Sequence, residues 1–170
     1  VLTMLKVFDT DLVWNTTSAN RDSNQIRKLL MDPLLLPGFN DSGAHLTNMA
    51  FYDCNLRSLN IAQEGGVLDV SYMIKRLTRD AAEIFGISGG QIKVGARADI
   101  TIINPEALKV YNGEKNVQRI YRDDFEHEQL VNRSDGVVTA TIVAGRPIWQ
   151  NNKFANDINK SKYGMCLLAS

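Results

Sequence analysis

LTRDAAEIFGISGGQIKVGARADITIINP, residues 77–105, changes its periodicity halfway along, and that change decides the fold class. The first part reads as a helix. Thr78 can cap its free amides and Gly86 terminates it. After Gly89-Gly90 the pattern alternates and then runs apolar, as strands do. Ala81 and Ala82 let the helix approach a neighbour closely, and Gly95 permits a turn that a Cβ would strain. The closing run ADITIINP reads as entering a sheet buried on both faces.

Working upstream, DVSYMIKRL begins a helix at Asp69, a side chain suited to N-capping, and FYDCNLRSLNIAQ (51–63) is an amphipathic helix that Gly65-Gly66 ends. SNQIRKLLMDP (23–33) is a short helix started by Ser23 or Asn24 and stopped before Pro33. DLVWNTT (11–17) and LLLPGF (34–39) read as strands on either side of it. Strand, helix and strand make a βαβ unit, which favours a parallel sheet with its chemistry at the carboxyl ends of the strands. Downstream, GVVTATIVAGRPIWQ (136–150) gives two strands about a tight turn at Ala144-Gly145-Arg146. Residues 112–135 are charged and read as a long surface excursion. The last twenty residues read as a polar segment wrapping the surface.

Composition narrows the function classes. Lysine plus arginine and aspartate plus glutamate number 19 each in 170 residues, so no electrostatic argument favours nucleic acid or an anionic membrane. Cys54 and Cys166 lie far apart without CxxC spacing, which fits free thiols in a reducing compartment, with the cytoplasm as the expected location. No run approaches the roughly 18 apolar residues that span a bilayer. The amino terminus lacks a secretion signal, and an opening Val suggests that sequence precedes it.

LPGFNDSGAHL (36–46) sets an acid and a histidine, Asp41 and His45, among small residues directly behind an apolar run. Asn40, Asp41, Ser42 and Gly43 all form turns readily, and a surface turn accounts for them without chemistry. A short carboxylate at the end of a strand is equally suited to proton transfer or to a hard cation. His45 reads as orienting the acid, contacting substrate, binding metal or simply packing. Asn20 and Arg21 follow the first expected strand, where the planar fork of Arg21 suits a substrate carboxylate as well as a surface ion pair. Arg57 faces substrate or solvent. His127, among the solvated charges of DDFEHEQ, reads as an exposed loop residue.

FNDSGAHL, LTRDAAEIFGISGGQIKVGARADITIINP and RSDGVVTATIVAGRPIW, in that order, resemble the carboxyl-terminal third of the amidohydrolase superfamily, and specifically the N-acyl-D-amino-acid deacylases. The likeness runs from WNTTSANRD to the final KYG. It implies an α/β fold: residues 1–88 as the last part of a metal-dependent (β/α)8 barrel, and residues 89–170 as strands of a small β-sandwich with a terminal extension. It places Asp41 at the end of the last barrel strand, reaching a catalytic zinc and exchanging a proton with its bound water. Ser42, leaving room for substrate, together with His45, Arg21 and Arg57, would serve the substrate side.

The implied cofactor is one or two zinc ions, and the implied substrate is a small N-acyl amino acid. A cyclic amide such as a hydantoin is the alternative. The superfamily's early H-x-H pair and middle histidines have no counterpart here. Catalytic zinc takes about three protein ligands plus water, so this chain alone is expected neither to hold zinc tightly nor to hydrolyse amides. A non-catalytic module associating through unpaired strand edges, with itself or with another subunit, is the reading from a different class.

Overall fold

The computed structural model describes residues 1–12, 20–38, 47, 53–66, 68–132, 134 and 136–169. Helix α1 (Leu2–Phe8) buries none of its side chains. Helix α2 (Ser23–Met31) starts one residue before the expected cap, at Asp22, whose carboxylate accepts the amides of Asn24 at 2.8 Å and Gln25 at 3.2 Å. Helix α3 (Cys54–Gln63) stops ahead of Gly65 and Gly66, both at positive φ. Helix α4 (Val70–Lys75) is capped by Asp69, as its sequence indicates.

Thr78 starts no helix. Helix α4 continues through a π-helical turn, Arg76–Asp80, directly into α5 (Ala81–Ile84). Within that turn the Thr78 hydroxyl donates 2.7 Å back to the Ile74 carbonyl, the alternative that threonine always has to capping. Gly86, at φ 62, closes the helix as expected.

The expected strand at 34–39 is corrected over the residues described. Leu34 is 90% exposed in a turn after Pro33, where the Asp32 side chain accepts the Leu34 amide at 2.9 Å and the Asp32 carbonyl accepts the Leu35 amide at 3.2 Å. Apolar composition alone made a strand there, and the local turn chemistry of Asp32-Pro33 overrides it. The other expected strand, DLVWNTT, falls mostly outside the described residues, and its Asp11 closes a 3-10 turn, Asp9–Asp11.

All strand pairing among the described residues is antiparallel. One sheet has the order β1 (Ile100–Ile103), β4 (Val138–Val143), β5 (Arg146–Gln150) and β6 (Lys153–Phe154). The β4–β5 turn falls on Ala144 and Gly145, both at positive φ, and their conformation matches the twist of the strands they join. β1 is an edge strand with Ile102 47% exposed, so this run is not buried on both faces. The preceding residues 91–99 are irregular, with Gly95 at φ 81 making the turn assigned to it.

Residues 112–135 are not a structureless excursion. They contain a second sheet, the hairpin β2 (Val117–Arg122) and β3 (His127–Asn132), joined by a 3-10 turn, Asp123–Phe125, and by left-handed Glu126. Its alternation was hidden because most positions of β2 are exposed and polar, leaving Ile120 and Val131 as the inward signal. The terminal segment does wrap the surface. Beyond β6, Arg146 pairs with Asp157 at 3.0 Å and lies 4.2 Å over the Tyr163 ring.

The core gathers Leu59, Ala62, Leu68, Met73, Leu108 and Val137, so it draws on both sides of residue 88. Helix α6 (Pro105–Lys109), capped by Asn104, carries Leu108 into it. Gly90 closes the same structure from outside. It has φ 72, and a Cβ there would lie 2.6 Å from the Thr78 carbonyl carbon and oxygen, on the backbone of the π turn. Gly66, at φ 97, has open space where its Cβ would go. Gly90→Ala is therefore expected to cost roughly 2–4 kcal/mol, by backbone strain plus overpacking, and Gly66→Ala only about 1 kcal/mol. Urea midpoints of the two variants measure the difference.

Candidate functional site

The end of α2 and the chain leading to residue 38 are held by side chains from the helix that carries the π turn. Arg76 is 3% exposed, and its Nη2 donates to the Asp32 carbonyl at 3.1 Å and to that of Leu35. Its Nη1 donates 3.0 Å to Asp80 Oδ2, while Lys75 Nζ donates 2.6 Å to Asp80 Oδ1. Spacing of four residues puts Arg76 and Asp80 in reach of one another. The hydrogen bond from Lys75 and the contact with Arg76 hold the Asp80 carboxyl below its ordinary value, against burial, which raises it.

A second polar cluster joins three distant segments. Asp53, 4% exposed at the start of α3, accepts 2.9 Å from Arg57 Nε and 2.6 Å from the Tyr111 hydroxyl, both on Oδ2. That hydroxyl also lies 3.1 Å from Asn132 Oδ1, but it has one proton, and the charged carboxylate at the shorter distance takes it. Asn132 Nδ2 donates 3.0 Å to the Gly113 carbonyl. A Cβ on Gly113 would fall 2.1 Å from Asp53 Oδ2, so a side chain there would displace the pair. Burial first, then the Asp53 carboxylate, pushes the Tyr111 phenol far above its ordinary value. At neutral pH Tyr111 is thus a proton donor in a fixed bond. The cluster fastens α3 to the end of β3 beneath an open groove of about 310 Å³ that includes Arg57, Asn60 and Glu114.

Of the residues singled out from sequence, Asp41, Ser42 and His45 lie outside the described residues. Arg57 is engaged with Asp53 while 39% of its side chain stays exposed, so it reaches the groove only as half of an ion pair. Arg21 is exposed ahead of α2 and makes no ion pair among the described residues. His127 is exposed at the start of β3, opposite Arg122. Sequence reading missed Asp53, Tyr111 and Asn132. The i, i+4 spacing of Asp53 and Arg57 was the one available signal, whereas Tyr111 meets Asp53 across 58 positions.

No group of three or more His, Cys, Asp or Glu among the described residues could hold a metal ion. Asp41 and His45 together fall short of the three protein ligands that catalytic zinc takes.

Both clusters have measurable consequences. Tyr111→Phe removes a hydrogen bond to a buried charge and is expected to lower stability by about 1.5–3 kcal/mol in urea unfolding. Asp80, with its folded value depressed, contributes stability that is present above the ordinary carboxylate value of 3.8 and is lost as pH falls through the lower folded value. The stability difference between the native chain and Asp80→Asn is accordingly expected to stay level above about pH 5 and to shrink below about pH 4. Urea titrations at each pH would show this.

Residues 18–149 match the amidohydrolase family. Uncharacterized proteins of Mycobacterium tuberculosis and Mycobacterium bovis are each 34% identical over 160 residues, covering 89% of this chain and 25% of theirs. A dihydroorotase of Geotalea daltonii is 33% identical over 91 residues, 54% of this chain and 20% of its own. The chain spans about a quarter of the length of the curated relatives it matches over most of its own length. No solved structure matches it. The family match takes in α2, the helix with the π turn and the sheet through β5, and on that span the chain belongs to the amidohydrolase family.

Proposed function

We propose that these 170 residues form the carboxyl-terminal portion of a (β/α)8-barrel amidohydrolase that cleaves the acyl amide of N-acyl-D-amino acids. Residues 1–88 close the barrel and residues 89–170 give strands to a small β-sandwich. The observation that carries this reading is the family match over 18–149, which contains the D-S-G-A-H stretch at 41–45. Asp41 acts as the proton shuttle. Its carboxylate accepts a proton as water attacks the amide carbonyl and passes it to the departing amine. Ser42 and His45 face the substrate beside it, and Arg21 meets the substrate carboxylate. Any zinc takes its remaining ligands from outside these residues.

Hydrolysis of a cyclic amide is the second reading, and the similarity to dihydroorotases favours it. Association through the edge of β1, unpaired among the described residues, is the non-catalytic reading, supported by the half-exposed Ile102. No described helix is long and apolar enough to cross a membrane. The free thiols of Cys54 and Cys166 support a cytoplasmic location, and the balanced charge supports small-molecule rather than nucleic-acid partners.

The test is hydrolysis of N-acyl-D-amino acids, their L isomers and a hydantoin by the intact protein containing this chain, and by its Asp41→Asn variant. Hydrolysis of the D isomers is expected, with kcat lowered about 10²–10⁴-fold in Asp41→Asn. Turnover of the hydantoin alone would select the cyclic-amide reading. Absence of turnover on all three would favour the non-catalytic one.

A further inference from the structure

We propose that residues 155–168 form a detachable strap that crosses from the sheet to the helix carrying the π turn, buckled by Arg146 and anchored at its far end by Leu167. The Ala155 amide donates 3.0 Å to the Ile148 carbonyl, and beyond it no backbone hydrogen bond among the described residues ties this segment to the sheet. Its other backbone bonds are local, from Ile158 to Ala155 and from Lys160 and Ser161 to Asp157. None of residues 155–168 is buried. Side chains alone hold the strap down, and their contacts converge on Arg146. Nη2 donates 3.0 Å to Asp157 Oδ2, and Nη1 donates 3.2 Å to the Lys162 carbonyl. The guanidinium also lies 4.2 Å over the Tyr163 ring, whose hydroxyl donates to Asp157 Oδ1.

Past Arg146 the strap runs toward the helix. A Cβ on Gly164 would lie 3.6 Å from Val143 Cγ1 and 3.8 Å from Arg97 Nη2, which sets the segment against the end of β4. Leu167 then joins Leu77, Ala81, Phe85 and Ile100 around an apolar groove of about 590 Å³ between the helix and β1. Closure covers part of that wall, and opening returns it to solvent. The buckle is weak enough to release. Arg146 and Asp157 keep 50% and 44% of their side chains exposed, and an exposed ion pair and a cation–π contact each contribute little. Segments with few buried contacts and exposed hydrogen bonds are the ones that open locally while the rest of a fold stays intact.

Limited trypsin digestion of the intact protein reads the open strap, because the protease cuts the population that has opened. The bonds after Lys160 and Lys162 lie within the strap, and the Lys162 carbonyl is the one that Arg146 binds. Cleavage at both, followed by fragment mass, is expected to be about tenfold faster in Arg146→Gln, the combined worth of the ion pair and the cation–π contact. In Leu167→Asp it is expected to be about fivefold faster, through loss of the apolar contact in the groove. Cleavage after Lys115, ahead of β2, is expected to keep its native rate in both variants. Tyr163→Ala, which lies outside the sheet, is expected to match Arg146→Gln and stands in if that variant does not fold. Unchanged cleavage after Lys162 in Arg146→Gln or in its stand-in would overturn the buckle. An unchanged rate in Leu167→Asp would overturn the groove anchor, and equal acceleration after Lys115 would show general loosening rather than a strap.

Discussion

A guanidinium buried to 3% exposure needs a counter-ion and acceptors close at hand, and that requirement at Arg76 organises much of the helical part. Removing an arginine from water costs several kcal/mol, and the cost is offset only where geometry supplies a counter-ion and acceptors together. Asp80 is the counter-ion, one turn along the same helix, and the carbonyls of Asp32 and Leu35 are the acceptors. Its Nε is buried without a partner among the described residues. The position is demanding enough that α2, the π turn and the close approach of Gly90 depend on one another. Apolar residues of similar volume would fill such a site without that cost, but they would not fix the carbonyl of Leu35.

Legibility followed the locality of the interactions. The Asp69 cap, the helix ends at Gly65-Gly66 and Gly86, and the β4–β5 turn at Ala144-Gly145 each rest on two to four neighbouring residues, and all were readable. Residues 34–38 were misread because leucine content was weighed above the turn chemistry of Asp32 and Pro33. The β2–β3 hairpin was missed because its inner face is formed by few apolar residues and its outer face by paired charges such as Arg119 with Glu128 at 3.1 Å. Thr78 was misread because a hydroxyl serves a cap and a helix interior equally well.

The site was legible in a different way. Asp41, Ser42 and His45 came from turn-forming composition and a family resemblance, neither of which measures distance. Arg57 was singled out as a cation, but its partner Asp53 is a carboxylate one turn earlier, and its surroundings include Tyr111 and Asn132 from far along the chain. No periodicity announces a contact between residues 53 and 111. Arg76 carried only its i, i+4 spacing to Asp80 as a signal, and an arginine in an amphipathic helix reads by default as solvent-facing.

One backbone hydrogen bond closes a long detour in this half of the molecule. The Asn104 amide donates 2.8 Å to the Val137 carbonyl, so the chain leaves β1 and returns to β4 at almost the same point. Everything between, including the β2–β3 hairpin, is a closed detour whose ends are already pinned. Doubling the length of such a detour raises its closure entropy by only about 0.6 kcal/mol. The tip of the β2–β3 hairpin, beyond the residues that hold Leu108 and Asn132 in place, can therefore lengthen at small cost while the strand register beneath it stays put.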